Sequence, residues 1–134
     1  MQLHIKVVEG KDFPKTDVFG KCDPFCVLQV NSHGATYKTK VEKKTFTPYW
    51  NEEFHIPIQN PTTDVLNISV FDEDKGSTND LVSKLDLAMR DIVPATVKDS
   101  WYPLTPAEGM PKGGQIRLCT HLALAGEIPF KPAN

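Results

Sequence analysis

The sequence predicts an all-β fold, an eight-stranded antiparallel β-sandwich. Three observations carry this: period-two alternation of apolar residues recurs along the 134 residues, Gly, Pro, Asn and Asp clusters separate the alternating runs, and no segment sustains a helical period. Alternation sends successive side chains to opposite faces of a strand, so each run can turn one face to a core and the other to water. A chain of this length is one domain by size and buries enough core to fold without metal or disulfide support.

In chain order the inward sets are Leu3, Ile5 and Val7; Cys26, Leu28 and Val30; Phe54, Ile56 and Ile58; Leu66, Ile68 and Val70; Leu85, Leu87 and Met89; and Ile116, Leu118, Thr120 and Leu122. TYKTKVE (36–42) alternates more weakly and SWYPL (100–104) is short, which brings the candidate strands to about eight. RDIVPATVKD (90–99) has room for one helical turn beside Pro94. The folded domain is expected over residues 1–125, with 126–134, GEIPFKPAN, as an extended C-terminal tail or linker.

Fifteen basic against seventeen acidic side chains give a net charge of −2, so no global basic field points to nucleic acid. The three cysteines, Cys22, Cys26 and Cys119, match no zinc or CxxC spacing and read as free thiols of a reducing compartment. The N-terminus lacks the basic start and continuous apolar core of a signal peptide, and no apolar run approaches the roughly 20 residues that span a bilayer. A soluble, cytoplasmic chain whose membrane contacts are peripheral is expected.

The stretch VFDEDKGSTND (70–80) crowds carboxylates directly after an apolar run. Two carboxylates about 4 Å apart repel by roughly 4 kcal/mol at an effective dielectric near 20, so a folded loop holding several needs a cation or open solvent. Asp72 and Asp74 are two apart at a strand end and point the same way if the extended geometry continues. Gly76 then permits a turn, and Asp80 can return a third carboxylate, with the Ser77 hydroxyl between. TDVFGKCDPF (16–25) supplies Asp17 and Asp23 around Gly20, so five carboxylates converge if both loops lie at one end of the sandwich.

Such a set suits calcium, which accepts six to eight oxygens in irregular geometry, better than magnesium, which demands a tight octahedron. The lack of imidazole or thiolate beside it counts against zinc and copper. An EF-hand reading fails on spacing, because Gly76, Ser77 and Ser83 stand where Asp or Asn, Gly and Glu are needed. The DxD sites of phosphatases and glycosyltransferases belong to larger α/β folds. A solvated acidic turn explains DED alone, but Asp80, Asp17 and Asp23 favour a cation site. No nucleophile or general-base pair accompanies the carboxylates, so no enzyme activity is expected. His4, His33, His55 and His121 sit in separate segments and read as surface or strand residues.

At these residues the chain resembles the C2 domain, the calcium-dependent phospholipid-binding β-sandwich. DVFGKCDPFCVLQV is similar to its first calcium loop and following strand, TFTPYWNEEF to its N-P-x-W-N-E-x-F segment, and VFDEDKGSTNDLVSK to its third loop. LHIKVVEG before the first loop and GGQIRLCTHLAL as last strand resemble the family's type II topology, permuted by one strand.

The resemblance implies calcium ligands at Asp17, Asp23, Asp72, Asp74 and Asp80, an additional one at Ser77, and backbone carbonyls of Val18, Glu73 and Thr78 completing the shell of two ions or more. It implies anionic phospholipid as partner, phosphatidylserine first and phosphoinositides second, with recruitment to the membrane surface as calcium rises. Val18 and Phe19 at the first loop's tip, with Lys15, Lys21 and Lys75, are the expected membrane contacts. Lys38 and Lys40 form a candidate second basic patch, although Val27 and Gln29 stand where inositide-binding relatives carry lysines; Lys43 and Lys44 read as a solvated edge. Trp50 and Asn51 read as structural residues at the start of a strand, and Ser83 stands where glycine is common. A monomer is expected. The alternative function is a calcium-regulated protein-interaction module with lipid secondary.

Overall fold

The computed structural model describes residues 1–15 and 22–131. Two antiparallel sheets face each other. One has the order β4-β1-β9-β7, the other β3-β2-β5-β6-β8. The strands are β1 (Gln2–Lys11), β2 (Pro24–Val30), β3 (Thr36–Lys38), β4 (Tyr49–Pro57), β5 (Val65–Asp72), β6 (Asp80–Ala88), β7 (Val97–Pro103), β8 (Thr105–Pro106) and β9 (Gln115–Ala123). A 3-10 turn, Met89–Asp91, follows β6.

The alternation drives this arrangement. Leu3, Ile5, Val7, Cys26, Leu28, Val30, Leu66, Ile68 and Val70 are fully buried, as are Ile116, Leu118 and Leu122. Each such side chain contributes roughly 1.5–3 kcal/mol by leaving water, and a one-residue slip of register would turn its strand's whole apolar set outward. Register is therefore strongly specified. β1 is flanked by β4 and β9, so the N-terminal strand sits between the segment carrying Trp50 and the last strand, which is the permuted arrangement expected.

Two differences from expectation concern the edges. β8 is a two-residue ninth strand pairing Ser83 and Lys84 of β6. TYKTKVE stays in the sheet only to Lys38. At Thr39 the hydroxyl takes the Cys26 N–H at 2.9 Å, replacing a ladder carbonyl, and the chain turns away. No disulfide is present among the described residues: Cys22 and Cys26 are buried and Cys119 is half-buried. Burial raises the Cys26 thiol pKa strongly, so it stays protonated. No helix among the described residues is long and apolar enough to cross a membrane.

Candidate metal centre

The connections β1–β2, β3–β4 and β5–β6 meet at one end of the sandwich, tied by hydrogen bonds between them. Thr45 N–H donates to Cys22 O at 2.8 Å, Glu42 N–H to Pro24 O at 3.1 Å, and Glu73 N–H to Asp23 O at 3.0 Å. The buried Trp50 ring adds a fourth tie, its Nε1–H donating to Pro24 O at 3.2 Å. Trp50 is thus structural, holding β4 against the start of β2.

Two of the expected ligands are set by strand register. Asp72 ends β5 directly opposite Asp80, which begins β6. That pairing depends on an irregularity: Val70 faces Ser83 but Phe71 faces Leu81, so Val82 is an extra residue on β6. Without this bulge Asp72 would face Leu81. Asp23 joins from β1–β2, its N–H donating to Asp72 Oδ1 at 2.9 Å. Asp23 Oδ1 in turn accepts the Lys44 N–H at 2.6 Å, with Lys44 held at a left-handed φ of 52°.

Asp74 is exposed and folded into its own turn. Its Oδ1 accepts the Gly76 N–H at 3.0 Å and its Oδ2 the Ser77 hydroxyl at 2.8 Å, while its N–H donates to Asn79 Oδ1 at 2.9 Å. The Ser77 and Gly76 bonds hold the Asp74 carboxyl below the usual carboxylate range. Thr78 is exposed beside it, and Glu73 pairs through Oε1 with Lys43 Nζ at 2.7 Å.

Asp17, Val18, Phe19 and Lys21 lie outside the described residues. Among the described residues no three His, Cys, Asp or Glu side chains converge closely enough to hold a metal. Asp72 and Asp80 face each other across β5 and β6, the Asp23 N–H bonds Asp72, and carboxylate oxygens are the donor chemistry a hard cation takes. Asp74 and Ser77, bonded to each other, would have to turn to join them.

Of the proposed membrane contacts, Lys15 and Lys75 are exposed. Lys38 on β3 lies with Nζ 4.6 Å from the Phe25 ring centroid, and Phe25 stacks on Phe71 at 5.6 Å. Lys40 falls beyond the strand, its N–H on Glu52 Oε2 at 2.7 Å. Lys43 and Lys44 are exposed, as expected, and Lys43 is in addition ion-paired. Its hydrogen bond to Glu73 across the loops, with the charges of Glu73 and Asp23 adding, raises its pKa. The sequence signal for this was the run YKTKVEKK itself, but its partner could be found only from the fold. Ser83, beside the bulge, is fully buried with its hydroxyl making no hydrogen bond among the described residues.

A family model for the C2 domain matches residues 1–104. The chain belongs to the C2 family. A C2 and GRAM domain-containing protein of Arabidopsis thaliana is 34% identical over 137 residues, covering 100% of this chain and 12% of its own length. The structure of a C2 domain of plant extended synaptotagmin 1 superposes with a TM-score of 0.82 at 27% identity, covering 99% of this chain and 95% of that one. A calcium-bound structure of two C2 domains of extended synaptotagmin 2 gives 0.74 at 25% identity, covering 90% and 44%. The curated relatives are longer proteins: the C2 match spans 18%, 12% and 13% of the first three. As a class, C2 domains are binding modules for membranes and lipids, and the present chain is one by fold and family.

Proposed function

We propose that this C2 domain is a calcium-triggered module for anionic membranes, acting from the cytoplasm. The observation that carries the reading is the bulge-dependent pairing of Asp72 with Asp80, with the Asp23 amide bonded to Asp72, which sets two carboxylates opposite each other at a strand end. Asp17 and Asp74 bring the proposed acidic ligands to five, a charge that would repel an anionic leaflet. Bound calcium supplies positive charge and open coordination positions for phospholipid oxygens.

The protein's own groups do the rest. Asp23, Asp72 and Asp80 are the proposed first oxygens, and Asp74, Ser77 and the carbonyls of Val18, Glu73 and Thr78 would complete a shell for two ions. Lys15 and Lys75 are exposed, and with Lys21 they are the proposed basic contacts, each worth about 1 kcal/mol against an anionic surface. Val18 and Phe19 supply apolar contact, where one buried Phe adds roughly 1.5–3 kcal/mol. Phosphatidylserine is the expected lipid. Because lipid would finish the coordination, calcium and membrane affinities rise together.

Calorimetric calcium titration of the wild-type domain and of an Asp72→Asn/Asp74→Asn variant tests the site. Saturable binding lost in the variant supports it; equal binding by both removes these carboxylates from the site.

A further inference from the structure

Three histidines from distant parts of the chain form one row across neighbouring strands. His4 of β1 is paired in register with His55 of β4 on one side and His121 of β9 on the other. His4 Nδ1 and His55 Nδ1 are 2.5 Å apart, so one ring donates and the other accepts. His55 Nε2 reaches Glu53 Oε2 at 3.0 Å, and the His4 and His121 ring centroids are 5.7 Å apart. His121 is fully buried.

What covers it is the segment after β9, which folds back over the sheet. Leu124 N–H donates to Glu127 Oε1 at 2.7 Å, and Lys131 N–H to Ile128 O at 2.9 Å. The Phe130 ring lies 6.2 Å from His4 and 6.4 Å from His121, centroid to centroid, with Lys6 Nζ 4.5 Å from its own centroid. Phe130 N–H donates to His121 Nδ1 at 2.9 Å. To do so Phe130 holds a left-handed φ of 59°, an unfavourable conformation for an aromatic residue.

A ring nitrogen can accept that N–H only while it carries no proton. His121 is therefore neutral with its hydrogen on Nε2, which lies 3.4 Å from Glu127 Oε1. A proton on Nδ1 would set two donors face to face. Phe130's amide and a proton thus compete for one lone pair, and binding of either excludes the other. We infer that residues 124–131 are a proton-operated clasp: protonation of His121 at Nδ1 releases Phe130 and frees this segment from the outer face of the sheet.

The charged neighbours set the balance. Glu53 and His55 approach from β4, His4 and Lys6 from β1, Arg117 and Cys119 from β9, Asp99 from β7, and Glu127 and Lys131 from the clasp itself. Burial first, then His55 and His121, hold the His4 pKa below the ordinary imidazole value, so the closed row resists added protons. A hollow of about 220 Å³ lined by Met1, Gln2, His4 and Glu127 gives water access to the row.

Reference imidazoles titrate at about 6.5, and a lone pair that takes one proton only when the clasp is open would change the open-to-closed ratio roughly 30-fold between pH 7.5 and 5.0, where carboxylates stay ionised. Amide hydrogen exchange and ring-nitrogen NMR on the wild-type domain read both sides of this competition. Phe130 protection should fall about 30-fold over that range as His121 Nδ1 gains its proton, while Thr39, whose N–H bonds Cys26 O in the other sheet, stays protected. His121→Gln, with a non-titrating acceptor, should flatten the change. A protonated His121 with Phe130 still protected, a His121 still neutral at pH 5.0, or equal loss at Phe130 and Thr39 would each overturn the clasp.

Discussion

Asp23→Asn separates the structural work of the loop end from its charge. The asparagine keeps an Oδ1 acceptor for the Lys44 N–H, and the backbone bonds to Asp72 and Glu73 do not involve the side chain. A hydrogen bond to a charged acceptor contributes about 1.5–3 kcal/mol and to a neutral one about 0.5–1.5, so the exchange costs about 1 kcal/mol. Relief of repulsion from Asp72 offsets part of that, and the melting temperature in chelator should fall by no more than about 5 °C. Calcium affinity should change far more. A unit charge ~3–4 Å from a divalent ion contributes about 2–3 kcal/mol even at water's dielectric, or roughly 30- to 100-fold in affinity. Thermal melts in chelator and in calcium, with calorimetry, read the two effects apart. Unchanged calcium affinity, or a collapse of stability in chelator, would refute the assignment of Asp23 as a charge-bearing ligand.

Lys43→Met removes the cation paired with Glu73; calorimetry should show tighter calcium binding in the absence of lipid, and weaker binding would show that Lys43 supports the loops. Ser83→Ala removes a buried hydroxyl that makes no hydrogen bond among the described residues and should stabilise the domain by about 1 kcal/mol in urea denaturation. His4, with its pKa lowered by burial, contributes stability that is full above the ordinary imidazole value and lost as pH falls from about 6.5 towards the lower folded value. Urea denaturation between pH 7.5 and 5.5 should show that loss, and His4→Gln should flatten it; an unchanged slope in the variant would assign the loss to other groups.

The sandwich was legible because its strands are amphipathic: Leu3, Ile5 and Val7, or Leu66, Ile68 and Val70, announce one buried face by alternation alone. The edges were less so. β3 stops at Lys38 because the Thr39 hydroxyl enters the ladder, and side-chain competition of that kind leaves no periodic trace. The acidic run of residues 70–80 could be read from the sequence, but not the bulge at Val82 that sets Asp80 opposite Asp72, nor the Lys43–Glu73 pair between loops. The histidine row was invisible for the same reason: His4, His55 and His121 become neighbours only through strand register.

Co-sedimentation with phosphatidylserine liposomes across a titration of free calcium addresses the membrane switch most directly. The wild-type domain should pellet with calcium and stay in solution with chelator, and Asp72→Asn/Asp74→Asn should stay in solution at both. Failure of the wild type to pellet at millimolar calcium, or equal pelleting with chelator, would contradict a calcium-triggered membrane module.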